Sequence, residues 1–171
     1  MEFKVGDKVV YPAHGVGVIK AVETIDFDRD RYTFYVLTIL DNGSTFRVPV
    51  QNISAIGMRR VISLMQVEKV YEVLKDRDVP TDNQTWNRRY REYTNKLQTG
   101  DPIEVAKVLR DLALLRQEKN LSFGERKMFD KASRLLIQEI AFAKDTDEQS
   151  VETEISSLFA APAPPQVVSL D

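Results

Sequence analysis

The sequence predicts an α+β protein of two domains, a small antiparallel β-barrel of the SH3 or Tudor type followed by an all-helical bundle. Before residue 60 the chain consists of short runs rich in β-branched and aromatic residues, with turn-forming residues between them. After residue 60, apolar residues recur at helical spacing and helix-capping residues precede several apolar runs. A chain of 171 residues is long enough to form two small domains.

Short strands separated by turns are predicted in the first part of the chain. Residues 12–15 separate the first two strands, and residues 28–30 allow a turn between the next two. Asn42 and Gly43 are typical of a tight hairpin, because both tolerate positive φ angles. Short strands joined by short turns favour a strongly bent barrel. The predicted strands are residues 8–11, 17–22, 32–40 and 45–50.

Helices are predicted through most of the second part. Asp101 followed by Pro102 is typical of a helix start, and Ser122 with Glu125 forms a capping-box pattern. We expect the Pro- and Ala-rich end of the chain to be disordered. The predicted helices are residues 61–74, 86–100, one starting after Asp101, one starting after Ser122, and a short one within 145–161. The predicted domains are a barrel at 1–66, a helical domain at 67–160 and a disordered tail at 161–171.

The most unusual local composition follows Trp86, the single tryptophan of the chain. Arg88, Arg89 and Arg91 come directly after it, and an aromatic ring beside several guanidinium groups is a common way to bind nucleic acid. The same ring also fits a second interpretation, as the first member of a buried helical stripe. The other members of that stripe would be Tyr90, Tyr93 and Leu97. The residues alone favour the two interpretations equally.

Basic residues recur on the predicted helix that starts after Ser122. Lys127, Lys131 and Arg134 lie at i, i+4 and i+7, and Arg126 adds a neighbouring charge. Such a stripe by itself more often indicates a solvated helix face. Together with the basic run after Trp86, it becomes a candidate second wall of one phosphate-binding surface.

Composition and motifs argue against an enzyme. The chain contains no cysteine, and its single histidine, His14, lies in a turn motif without a predicted nucleophile beside it. Phosphate-loop and paired-histidine metal motifs are absent, so we expect neither a cofactor nor a metal ion. Without an apolar run typical of a signal peptide or membrane span, we expect a cytoplasmic protein. The net charge of −2 argues neither for nor against binding to nucleic acid, because a basic surface can form if the acidic side chains lie elsewhere on the protein.

Three separated segments resemble the CarD/CdnL family of bacterial transcription regulators. The first segment is also similar to the RNA-polymerase-interacting domain of the transcription-repair coupling factor, which lacks the helical half. The segments are FKVGDKVVYP with HGVG at residues 3–17, TWNRRY at 85–90 and LSFGERKM at 121–128. The resemblance implies a non-enzymatic factor that binds the β subunit of RNA polymerase through its barrel. It also implies stabilisation of the open promoter complex by a nucleoid-associated monomer.

The resemblance further implies roles for individual residues. Trp86 would wedge into the minor groove at the upstream edge of the bubble, and nearby basic residues would hold the DNA backbone. Arg47, Val48 and Pro49 would dock on the polymerase, and Pro49 indicates an edge strand because proline cannot donate to a central ladder. An RNA- or ribosome-binding adaptor with an SH3-like domain is the alternative. The implied DNA-contacting residues are Trp86, Arg88, Arg89, Arg91, Arg126 and Lys127.

Overall fold

The computed structural model describes residues 3–79 and 85–160, in which a five-stranded antiparallel sheet is joined to a helical bundle. This arrangement confirms the predicted α+β class, whereas the predicted tail at 161–171 lies outside the described residues. The strands are β1 (Lys8–Tyr11), β2 (Gly15–Phe27), β3 (Asp30–Ile39), β4 (Thr45–Pro49) and β5 (Arg59–Arg60). The helices are α1 (Ile53–Ile56), α2 (Leu64–Lys75), α3 (Trp86–Gln98), α4 (Pro102–Glu118), α5 (Phe123–Lys144) and α6 (Glu148–Phe159).

The sheet has the strand order β4-β3-β2-β1-β5, so β4 and β5 form its edges. A bulge between Ile19 and Ala21 interrupts the β2–β3 register and allows the long β2 strand to bend. The sequence predicted β2 and β3 too short, because their exposed distal ends alternate less clearly. The hairpin predicted at Asn42 and Gly43 is confirmed, since this turn joins the antiparallel strands β3 and β4, and within it Gly43 alone adopts a positive φ. The barrel core consists of Phe3, Val9, Ile19, Tyr35, Leu37, Ile39, Val48, Ile53 and Met58.

The bundle is built around α4, which packs against α2, α3 and α5. Its residues Val108, Leu109 and Leu112 are completely buried. Complete capping boxes start α2, with Ser63 and Gln66, and α5, with Ser122 and Glu125. At the start of α4 the Asp101 carboxylate accepts from the backbone of Ile103 at 2.9 Å. Side-chain caps therefore satisfy backbone N–H groups at the starts of α2, α4 and α5, whereas Thr85 makes no side-chain cap hydrogen bond at the start of α3.

Two adjacent residues of α5 connect the bundle to the barrel. The Gln138 side chain accepts a hydrogen bond from the backbone N–H of Val16, at 3.0 Å. The Glu139 carboxylate accepts hydrogen bonds from both terminal nitrogens of Arg59, at 2.6 and 2.8 Å, and from the backbone N–H of Ile62, at 2.9 Å. Arg59 also donates to the carbonyl of Gly100. We call Arg59, Gln138 and Glu139 the interdomain clamp.

The predicted domain boundary after residue 66 falls inside the first turn of α2, since that helix begins at Leu64. Within the described residues, no helix combines the length and apolar character needed to cross a membrane.

Candidate nucleic-acid interface

Trp86 is the first residue of α3 and lies half-buried at the margin of the helical core. The rings of Tyr90 and Tyr93 meet the indole edge-on, with centroid distances of 5.8 and 6.4 Å. Tyr93 and Leu97 are buried, as the helical stripe predicted, but Tyr90 is 49 % exposed. Tyr90 therefore does not belong to the core stripe, and Trp86 is partly buried.

The three arginines after Trp86 occupy two different environments. Arg88 and Arg91 are exposed, whereas the Arg89 side chain is only 13 % exposed. Because α3 advances about 100° per residue, residues three apart lie on one side and Arg89 points toward α5. The Arg89 guanidinium lies over the Trp86 ring at 5.5 Å, and its Nη2 lies 3.6 Å from Oε2 of Glu125. Sequence alone treated the three side chains as equivalent.

Glu125 is a buried carboxylate, with 2 % of its surface exposed. Burial raises its pKa, but hydrogen bonds from Ser122 and the ammonium group of Lys119 outweigh burial, so the pKa lies below its ordinary value. Lys119 Nζ lies 3.4 Å from Oε1, while Oε2 faces Arg89. Oε2 and the Arg89 Nε have no hydrogen-bond partner within the described residues. The site beside Trp86 thus holds a charged carboxylate between two cations.

An open groove of ≈ 1080 Å³ runs between the helices and two turns of the barrel. The α5 wall contributes Lys127, Lys131 and Arg134, so the predicted basic stripe lines a concave surface. Tyr90 lines the α3 side, and an exposed ion pair of 3.4 Å joins Arg134 to Asp41 of the barrel. The groove is therefore basic along α5 and reaches the edge of the Trp86 site.

Arg126 and Phe123 complete the exposed surface of the first turns of α5. Arg126 does not line the groove; it faces a separate depression beside Phe129. Phe123 is 74 % exposed, and the ammonium group of Lys127 lies 5.1 Å from its ring centre. The structure brings Lys127 onto the same surface as Trp86 and places Arg126 beside it on another face.

The residues predicted to dock on the polymerase lie on β4. Among the described strands, β4 pairs only with β3, which confirms the edge position that Pro49 predicted. Arg47 is exposed and pairs with Glu23 at 3.2 Å. The Val48 side chain is buried in the barrel core, and Val48 pairs with Tyr35 of β3.

Comparison with known proteins assigns both parts of the chain. Residues 3–62 match the CarD-like/TRCF RID domain, and residues 69–156 match the CarD C-terminal domain. The chain belongs to the CarD family. The "Putative transcription factor YdeB" of Bacillus subtilis (strain 168) is 32 % identical over 155 residues, covering 88 % of this chain and 98 % of that protein. A solved structure titled "CdnLNt from Myxoccoccus xanthus" is 41 % identical over 37 % of this chain and 89 % of its own, with a TM-score of 0.31.

Membership of the CarD family confirms the resemblance seen in the three sequence segments and makes the chain an RNA-polymerase-associated transcription factor. The site beside Trp86 contains two residues that the sequence analysis did not assign to it, Glu125 and Gly124. The capping box identified Glu125 as a helix-start residue only, because a pattern of four residues carries no information about Arg89 on another helix. In the described part of the chain, no cluster of His, Asp or Glu residues is suited to a metal ion.

Proposed function

We propose that this CarD protein binds the β subunit of RNA polymerase through its barrel and stabilises the open promoter complex by wedging Trp86 into the DNA at the upstream edge of the bubble. The observation that carries the proposal is the half-buried indole at the start of α3, braced on one side and flanked by exposed arginines. The name of its Bacillus subtilis relative, "Putative transcription factor YdeB", supports a role in transcription.

The chemistry of a wedge is compatible with a ring that is only partly buried. Inserting an apolar side chain between base steps costs a few kcal/mol of unstacking, and this cost is lowest where the duplex is already distorted. A junction between duplex and unpaired DNA is such a place. A protein that binds the open form better than the closed form shifts the population toward the open complex.

The surrounding charges support contact with the DNA backbone. Arg88 and Arg91 are exposed beside the ring, and each phosphate they neutralise releases counterions. Lys127 extends the basic surface along α5, with Lys131 further along the groove. Arg126 is exposed on the adjacent face and contributes from the side. Arg89 has less access to phosphate, since its guanidinium is enclosed between Trp86 and Glu125.

The edge strand β4 supports the proposed polymerase contact. Edge strands present unpaired backbone groups that a strand of a partner can bind. Arg47 adds an exposed positive charge, Val48 anchors the edge strand through its buried side chain, and Pro49 limits how far the pairing extends. The barrel thus offers an edge of defined length and charge.

The test is the lifetime of open promoter complexes formed with the full-length chain. Trp86→Ala should shorten this lifetime while leaving polymerase binding unchanged, because the ring lies on the bundle and β4 on the barrel. Arg47→Glu is the matched variant: it should weaken polymerase binding and leave binding to isolated fork-junction DNA unchanged. We expect Trp86→Ala to cost roughly 1–2 kcal/mol of stability, less than the 3–5 kcal/mol typical of a fully buried tryptophan.

Three results would count against the proposal. Trp86→Ala protein that is folded and stabilises open complexes as well as wild type would remove the wedge. Unchanged polymerase binding by Arg47→Glu would remove the proposed docking edge. Tighter binding to single-stranded RNA than to fork-junction DNA would favour an RNA-binding adaptor instead.

A further inference from the structure

We propose that Arg89, Glu125 and Gly124 are positioning residues that hold the Trp86 indole in one orientation before DNA is bound. The inference rests on the proposed role of Trp86 at the promoter junction. It assigns to Arg89 a different role from that of its exposed neighbours Arg88 and Arg91.

Arg89 supports the indole through a cation–π contact. Its guanidinium lies 5.5 Å from the ring centre, a distance at which such contacts are favourable, and the interaction strengthens with partial burial. The guanidinium faces the buried Glu125 carboxylate, whose Oε2 lies 3.6 Å away at ion-pair distance and without a hydrogen bond between the two groups. Glu125 is fixed in turn by the backbone N–H of Ser122, which donates to Oε1 at 3.0 Å, and by Lys119. A continuous series of contacts therefore runs from the start of α5 to the ring.

Gly124 provides the surface on which the indole lies. A methyl group added at this position would come within 3.1 Å of the Trp86 Nε1, so the ring would have to shift by a few tenths of an ångström, and within 3.4 Å of Cζ2. The backbone of Gly124 is helical and needs no glycine, and glycine weakens a helix relative to alanine. We therefore infer that glycine is present at this position because its missing side chain leaves space for the Trp86 ring.

A fixed ring has a direct consequence for affinity. An immobilised side chain loses rotamer freedom when it binds, and a side chain that is ordered beforehand loses less. Trp86 stands at the first position of α3, where fewer neighbouring residues restrain it than inside the helix. The contacts from α5 supply the restraint that the position lacks.

The inference can be tested by fluorescence, because Trp86 is the only tryptophan in the chain. In the full-length protein, Gly124→Ala and Arg89→Met should each increase the local rotation of the indole, measured by time-resolved anisotropy, and shift its emission. Each should weaken binding to fork-junction DNA roughly three- to tenfold, the range expected when one side chain is no longer pre-ordered. Gly124→Ala should not lower the thermal midpoint, since alanine favours the helix.

Arg116→Met is the matched control, since Arg116 places its guanidinium 4.5 Å from the ring centre of Phe129, away from Trp86. This variant should leave indole rotation and fork-junction affinity at wild-type values. Unchanged rotation and affinity in both Gly124→Ala and Arg89→Met would overturn the inference, while leaving the wedge intact if Trp86→Ala still shortens open-complex lifetimes. A second result would also overturn the inference. If Arg89→Met lowers the affinity for fork-junction DNA and its salt dependence but leaves indole rotation unchanged, Arg89 is a phosphate contact.

Discussion

At the scale of single residues, the partial burial of Trp86 lies between the two interpretations that its sequence context left open. Its ring meets both the buried Tyr93 and the exposed Tyr90. A ring packed on all sides would be unable to enter DNA, and a ring without support would lose more freedom on binding. Half-burial is therefore consistent with both the helical stripe and the nucleic-acid interpretation.

The difference between Arg88 and Arg89 gives a prediction at the same scale. Arg88→Ala should weaken DNA binding across promoter sequences, reduce the slope of log affinity against log salt by about 1, and change stability by less than about 0.5 kcal/mol. Arg89→Ala should lower stability by roughly 1–3 kcal/mol, because it leaves the buried Glu125 carboxylate without that cation. Salt titrations of DNA binding and denaturant unfolding of both variants provide the measurement. Equal salt slopes and equal stabilities for the two variants would contradict the assignment.

At the scale of elements, α5 serves a different purpose along each part of its length. Its first turn holds Gly124 and Glu125 beside Trp86, its middle contributes Lys127 and Lys131 to the groove, and Gln138 lies in the interdomain clamp. One rigid helix thus fixes the distance between the proposed DNA-binding surface and the barrel.

The capping box of α5 should make stability depend on pH in the acid range. The folded state lowers the Glu125 pKa below its ordinary value of 4.5, so the stability it contributes is present above that value and is lost as the pH falls below it. Glu125→Gln keeps the capping pattern but removes the charge, and should cost roughly 1–3 kcal/mol at neutral pH. The difference from wild type should shrink as the pH falls below 4.5. Denaturant unfolding at several pH values measures this difference.

The capping box of α2 supplies the control for that experiment, since Gln66 occupies the same position there on an exposed surface. Gln66→Glu should change stability less than Glu125→Gln does, because the side chain of residue 66 is exposed to solvent. A Glu125→Gln curve parallel to wild type from neutral to acid pH would show that the Glu125 charge does not stabilise the fold.

At the scale of the whole molecule, the sequence was informative where the signal is local. Turn residues, strand composition and caps such as Ser122 predicted the two-domain class and most helix starts, because each depends on neighbours a few residues away. The two-residue strand β5 and the four-residue helix α1 were missed, since neither is long enough to show a period. The contacts of Arg89 with Glu125 join residues on different helices, and no local pattern distinguishes them from solvated charges.

The interdomain clamp was also invisible in the sequence, because Arg59 and Glu139 are 80 residues apart. It nevertheless determines how the two predicted domains are joined. The Glu139 side chain is 5 % exposed and that of Arg59 is 28 % exposed, so the carboxylate depends on this partner more than a surface carboxylate would. A polymerase-bound barrel can direct Trp86 to the junction only if the angle between the domains is maintained.

Arg59→Met should therefore separate binding from function. Removing the guanidinium leaves the buried Glu139 carboxylate uncompensated and should cost roughly 3 kcal/mol, whereas Asp41→Asn, which breaks the exposed interdomain pair with Arg134, should cost less than about 1 kcal/mol. Adding Glu139→Gln to Arg59→Met should recover part of the stability, since no buried charge then remains.

In Arg59→Met, polymerase binding and fork-junction binding measured separately should stay close to wild type, because each surface lies within one domain. The open-complex lifetime should fall, because that measurement alone requires both surfaces at a fixed angle. An open-complex lifetime equal to wild type in a folded Arg59→Met protein would mean that the clamp stabilises the fold without directing Trp86.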